Sequence, residues 1–225
     1  MAVSGPVTEV IRAAGDHVPG LLVRVEERLA ELAAGHGVTL AVHAGATIAA
    51  GGKRLRPLLV FLAADEENGE GLVRAATAVE LVHSATLVHD DVLDAAALRR
   101  GVPTVVASAG RSAATATGDL LFARAFAELA ENGRVDEIRV LSDASCALAE
   151  GELRQRADAW DAAVPVERYV ARCELKTARL FEAACRLGAL EAGGPADALG
   201  ERHGGRREQR NRAVVPMFGE EGEGA

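Results

Sequence analysis

Apolar residues recur along this chain at helical spacing, and nowhere does a convincing strand alternation take over. From Thr8 to about Ala34, the residues Leu21, Leu22, Val25, Leu29 and Leu32 mark one helix face, and Gly35-His36-Gly37 reads as its stop. A second, alanine-rich helix is predicted over about Leu40 to Ala50, before Gly51-Gly52. Pro57 suits the first turn of a third, Leu58 to Ala64. Asp65 to Gly71 has the composition of a solvated loop. The longest stretch free of Gly and Pro, Leu72 to Ala97, is predicted as one helix, followed by a loop at Gly101 to Thr104. Further helices are expected over about Gly118 to Ala130 and Val135 to Arg156, the latter with Ile138, Leu141, Ser145 and Leu148 in a stripe. Pro165 opens a last one, with Val166, Val170, Cys173, Thr177, Leu180, Ala184 and Leu187 on one face. After Gly188 the periodicity fails. The pattern predicts one all-α domain over residues 1–199 and a disordered tail over 200–225, where six glycines and dense mixed charge interrupt any period.

Composition supports that reading. Hydrophobic residues make up 49% of the 225 residues and aromatics only 3%, which favours packed alanine-rich helices over a sheet sandwich. A net charge of −8 excludes a general nucleic-acid binder, which needs a basic face. Any anionic ligand must be held by local clusters of positive charge. The three cysteines have no CxxC spacing and read as free thiols of a cytoplasmic protein. The apolar stretch Val38 to Ala50 is too short to span a bilayer, and no signal peptide is evident.

The candidate chemistry sits late in the long helix. Asp90 and Asp94 are four apart and share a face; Asp91 lies about 100° round from Asp90. Like charges at this spacing repel by roughly 0.2–0.5 kcal/mol per pair on an exposed helix. A divalent cation offsets that naturally. Three carboxylates without His or Cys ligands suit magnesium (Mg2+), which takes one or two carboxylates together with waters and phosphate oxygens, and do not suit zinc. His83, two turns earlier on the same face, is placed to donate to phosphate. The bland alternative is a solvated acidic helix end with Arg99 and Arg100 as loose partners, but the apolar run Ala75 to Val88 argues that the face is buried. Two basic clusters beside glycines, Gly51-Gly52-Lys53-Arg54-Leu55-Arg56 and Arg99-Arg100-Gly101, would suit two diphosphates bound near one another. Only Lys53 and Lys176 are lysines among the 25 basic residues.

The segments GGKRLRP, LVHDDVLD, LRRGVPT, GDLLFA and LKTARLFEAACRLGA, in that order, resemble the trans-type polyprenyl diphosphate synthases from about Arg24 to about Leu199. The resemblance implies an isoprenoid-synthase-type helical bundle around a central cavity, present as a homodimer or as a heteromer with a homologue. It implies a prenyltransferase that joins isopentenyl diphosphate to an allylic diphosphate. Carried over, Lys53, Arg56, His83 and Arg100 would hold isopentenyl diphosphate. Asp90, Asp91 and Asp94 would hold magnesium at the allylic diphosphate, with Arg99, Lys176 and Thr177 contacting that group and Gln155 lining the cavity. Ala85 and Thr86, about one turn before the first aspartate, would set product length, and their small size implies products longer than farnesyl. The family's second aspartate-rich motif is not found in these residues. The expected apolar helix beyond Ala198-Leu199-Gly200 gives way to Glu201-Arg202-His203-Gly204-Gly205-Arg206-Arg207. That change reads as a truncation or a shift of reading frame, with C-terminal helices missing, and puts turnover by this chain in question. A non-catalytic subunit of a complete synthase is the alternative. A terpene cyclase fits less well, because it has no use for the second basic cluster.

Overall fold

The computed structural model describes residues 5–35, 37–64 and 69–194. It is built of helices α1 (Gly5–Ala14), α2 (His17–Ala34), α3 (Gly37–Ala49), α4 (Leu55–Ala64), α5 (Glu70–Leu93), α6 (Val105–Glu131), α7 (Val135–Ala157), α8 (Val166–Cys173) and α9 (Arg179–Glu191). A π-helical turn, Glu174–Ala178, joins the last two. The expected all-α architecture is present.

The helix expected over Thr8 to Ala34 is two, because Gly15 takes φ 114 and turns the chain between α1 and α2. Along α2, Leu21, Val25, Leu29 and Leu32 of the stripe read from the sequence are buried, Val18 extends it by one turn, and Leu22 is only half-buried. Helix α5 is the centre. It is buried on nearly every face from Leu72 to Val82 and packs most extensively on α6. By length and apolar content alone it could cross a bilayer, but 72% of that stretch is buried inside the protein. Each large apolar side chain buried this way, such as Leu72 or Leu81, stabilises the fold by about 1.5–3 kcal/mol.

Helix α5 ends at Leu93, earlier than its lack of Gly and Pro suggested. Ala95 adopts φ 49, and the chain enters a two-residue antiparallel hairpin, β1 (Leu98–Arg99) with β2 (Val102–Pro103). Arg100 and Gly101 both take positive φ (52 and 80), as a two-residue hairpin turn of this twist requires. Strands this short leave no alternation to read. Thr104 then caps α6, its hydroxyl oxygen accepting from Ala107 N at 3.2 Å while the hydroxyl donates to Ala96 O at 2.5 Å. Helix α6 begins thirteen residues before the expected Gly118, with a kink at Gly110 (φ 83). Its first half is rich in Ala, Ser and Thr, and 107–112 are exposed, so no apolar period marks it.

The single face expected from Val166 to Leu187 is interrupted. Leu180, Ala184 and Leu187 are buried, whereas Val166 and Val170 are exposed, because the extra residue in the π turn shifts the register between α8 and α9. Helix α9 also runs three residues past Gly188. That glycine lets α9 lie against α4: a Cβ there would sit 2.2 Å from Val60 O. Residues 65–68 of the expected loop, and 200–225 with the expected tail, lie outside the described residues.

Candidate functional site

The C-terminal half of α5, the start of α4, the end of α7, the π turn and α6 surround a cavity of about 620 Å3. Leu87, Leu148, Leu153, Leu180 and Phe122 supply apolar wall. Arg56, His83, Asp90, Glu152, Lys176 and Thr177 supply the polar lining, joined by Thr86 and Gln155. A small adjoining crevice is bounded by His83, Asp91, Arg99, Arg100 and the hairpin.

Two glycines allow this convergence. At Gly151 a Cβ would lie 2.7 Å from Lys176 N and 3.0 Å from its Cα, so α7 and the π turn touch backbone to backbone. Widening one helical turn at Glu174–Ala178 sets Lys176 and Thr177 into the cavity wall, a use of π turns that recurs at functional sites. At Gly118, a Cβ would occupy the place of the His89 ring, which stacks on Phe122 at 5.8 Å.

The acidic rim is an alternating chain of charges. Lys176 Nζ bonds Glu152 and lies 3.4 Å from Asp90 Oδ2. Arg156 donates to Glu152 Oε1 at 2.8 Å, to Asp94 Oδ1 at 2.6 Å and to Leu93 O at 3.1 Å. Asp91 turns away: it is buried and gripped by Arg99, whose Nη2 lies 2.8 Å and Nε 3.0 Å from Oδ1. The angular separation of Asp90 and Asp91 thus sends them to different chambers. Among the described residues, no three His, Cys, Asp or Glu side chains form a ready metal cluster. The donors nevertheless suit a hard divalent cation, since Asp90 and Asp94 offer oxygen alone. Burial, despite the opposing charge of Lys176, pushes the Asp90 carboxyl above its usual range, so an added cation would favour its ionised form.

The basic side is distinct. Arg56 stacks over the Phe181 ring at 4.5 Å, and its Nε is buried without a hydrogen-bond partner. Burial, offset by the charge of Glu80, lowers the Arg56 pKa. His83 is held neutral: burial, then the charges of Arg56, Arg100, Arg54 and Arg99, push it down to about 3. A neutral imidazole ringed by four guanidiniums, one with an orphaned donor, is an environment that calls for an anion. Arg54 has another task. It is buried and tied to Glu26 at 2.6 and 3.0 Å, to Glu80 at 2.7 Å and to Ile48 O at 3.1 Å, which pins α2 and α5 beneath the basic side.

Of the residues selected from sequence, Arg56, His83, Thr86, Asp90, Gln155, Lys176 and Thr177 line the cavity, and Arg99 and Arg100 the crevice. Asp94 joins the rim through Arg156. Lys53 is exposed and lines neither space, and Ala85 is buried in the core beside Thr86, outside the lining. Sequence reasoning passed over Glu152, Arg156, His89, Phe122 and Phe181. A signal existed for one pair: Glu152 and Arg156 stand at i,i+4 with the acid N-terminal, the favourable order on a helix.

The family model described as Polyprenyl synthetase matches residues 39–203. The chain is 42% identical over 176 residues to heptaprenyl diphosphate synthase component 2 of Geobacillus stearothermophilus, covering 77% of this chain and 55% of that one. It is 39% identical over 148 residues to octaprenyl diphosphate synthase of Escherichia coli, covering 65% and 46%. The chain thus spans about half the length of the curated relatives it matches. Among solved structures, a decaprenyl diphosphate synthase from Rhodobacter capsulatus superposes with a TM-score of 0.75 at 34% identity, over 85% of this chain and 58% of that one. A polyprenyl synthase from Caulobacter crescentus, complexed with calcium and isoprenyl diphosphate, gives 0.75 at 33%, over 92% and 61%. The chain belongs to the polyprenyl synthetase family.

Proposed function

We propose that this chain serves prenyl transfer, binding isopentenyl diphosphate on the arginine side of the cavity and an allylic diphosphate on the carboxylate side. The observation that carries the reading is one cavity lined by both kinds of group: Arg56 with His83, which stands two helical turns before Asp90 on α5, and Asp90, Glu152 and Lys176, beside apolar wall. Arg56 and Arg100 would hold the isopentenyl diphosphate oxygens, and neutral His83 would donate one hydrogen bond without adding charge. Asp90 and Asp94 are the residues to hold magnesium, with Asp91 contributing by fixing Arg99. When bound, magnesium would neutralise charge on the departing diphosphate. Lys176 and Thr177 then orient that diphosphate.

The chemistry follows from this placement. The allylic C–O bond breaks, its electron pair leaving on diphosphate, and the allylic cation is left against the apolar wall of Leu87, Phe122 and Leu148. The isopentenyl double bond attacks it. A proton then leaves the adduct, and the released diphosphate can accept it. Thr86 leaves the cavity wall small one turn from Asp90, so the product grows past farnesyl. The three cysteines are unpaired, which supports a cytoplasmic setting.

The test is incorporation of radiolabelled isopentenyl diphosphate into butanol-soluble product, with farnesyl diphosphate and magnesium. Incorporation that is lost in Asp90→Asn supports the reading. A second reading, a binding subunit that completes a homologous synthase, has its own support: Asp90, Asp91 and Asp94 are already paired with Lys176, Arg99 and Arg156 respectively. Under it, the chain alone incorporates no label but raises incorporation by a full-length homologue with which it co-purifies.

A further inference from the structure

Five side chains along the rim form one alternating arc: Asp94, Arg156, Glu152, Lys176, Asp90. Glu152 is its hub, with Oε1 taken by Arg156 and Oε2 by Lys176. Burial works against its charge, but those two cations hold the Glu152 carboxyl below its usual range, so the hub is ionised. All three guanidinium nitrogens of Arg156 are engaged, one of them with the last carbonyl of α5, where a cation also complements the helix end. Arg156 therefore bridges α7 to the end of α5 and engages Asp94 as Lys176 engages Asp90.

We propose that Arg156 is a positioning residue that holds Asp94 as an internal counter-ion until a divalent cation arrives, and that Glu152 keeps it and Lys176 at the rim to receive the diphosphate afterwards. The proposal rests on the assignment of Asp90 and Asp94 to a divalent cation. The contact distances favour such an exchange. Arg156 at 2.6 Å from Asp94 Oδ1 sets a positive charge beside any cation bound to that carboxylate, and cations repel, so binding there favours outward movement of the guanidinium. Arg156 is 37% exposed and is anchored i,i+4 to Glu152, so it has room to swing while staying attached. Released from Asp94, its forked donors suit phosphate oxygens.

The experiment measures Mn2+ binding to the full chain by electron paramagnetic resonance, without and with inorganic pyrophosphate, in wild type, Arg156→Gln, Arg156→Lys, Glu152→Gln and Asp94→Asn. Arg156→Gln should tighten Mn2+ binding without pyrophosphate by about twofold to fivefold, the effect of removing one competing exposed ion pair. It should also shrink the enhancement of Mn2+ binding by pyrophosphate, and Arg156→Lys should restore much of both. Glu152→Gln should weaken Mn2+ binding, because it removes negative charge and frees both cations onto the aspartates. Opposite signs for the two substitutions are not what loss of a merely structural pair produces. If Asp94→Asn weakens Mn2+ binding while Arg156→Gln leaves it unchanged or weaker, this inference fails and the cation site stands. If Asp94→Asn changes nothing, or wild type binds no Mn2+, the cation assignment fails and takes the inference with it.

Discussion

Replacing Gly151 by alanine probes the close approach that builds the site. Its Cβ would lie 2.7 Å from Lys176 N and 3.0 Å from Lys176 Cα and Cβ. Ordinary carbon contacts need about 3.5–4.0 Å, so α7 and the π turn must part by roughly 1 Å. Such overpacking costs about 1–3 kcal/mol, and alanine returns about 1 kcal/mol of helix propensity. The net loss is at most about 2 kcal/mol, a fall in Tm of no more than about 8 °C for a chain of this size. The loss at the site should be far larger, because a displacement of about 1 Å at a catalytic constellation can cost on the order of 100-fold. Gly45→Ala in α3 is the matched control: nothing lies within 4 Å of its Cβ, and it should stabilise by about 0.5–1 kcal/mol. The assays are thermal melting and calorimetric binding of a non-ionisable allylic thiodiphosphate with magnesium. If Gly151→Ala melts higher, as Gly45→Ala should, and binds the analogue as wild type does, the reasoning about this contact is wrong.

A second expectation concerns pH. Glu137 is fully buried, and burial, then Glu191 beside it, raise its pKa from 4.5 to about 8, with Asn132 and Arg134 opposing. The folded chain thus holds a proton that the unfolded chain releases between pH 4.5 and about 8. The stability tied to that proton is fully present below pH 4.5 and is lost as pH rises through 8, a loss of up to a few kcal/mol. Glu137→Gln, whose amide can donate to Glu191 in place of the shared proton, should flatten the fall of Tm from pH 5 to pH 9; parallel curves would refute this. Arg54→Gln should destabilise the fold by about 3–5 kcal/mol in denaturant titrations, by stranding the buried carboxylate of Glu80, whereas Arg56→Gln should leave the midpoint nearly unchanged and weaken isopentenyl diphosphate binding. Thr86→Phe should shorten the radiolabelled products seen by chromatography; an unaltered product distribution would remove Thr86 from length control.

The sequence was most informative where one residue type does one thing. Buried stripes such as Leu21 to Leu32 are repeated apolar choices, and Arg56, Asp90, Lys176 and Thr177 fell within short charged motifs. It was silent where tertiary contact overrides local pattern. Nothing local ends α5 at Leu93; the hairpin and the capping by Thr104 do so. The π turn leaves no period, yet it decides that Leu180 is buried and Val170 is not. The 100° between Asp90 and Asp91 was legible, but the partner that occupies Asp91, Arg99 returning from the hairpin, was not. Lys53 shared a motif with Arg56 but is exposed, because it precedes α4 and no helical period sets its direction.

The central claim, two diphosphates gripped by different side chains of one cavity, is tested most directly by calorimetric titration. Isopentenyl diphosphate and the allylic thiodiphosphate would each be titrated into wild type, Arg56→Gln and Asp90→Asn. The account predicts that Arg56→Gln weakens isopentenyl diphosphate alone, while Asp90→Asn abolishes the magnesium-dependent binding of the allylic analogue alone. Equal loss of both ligands in either variant, or loss of neither, would contradict it.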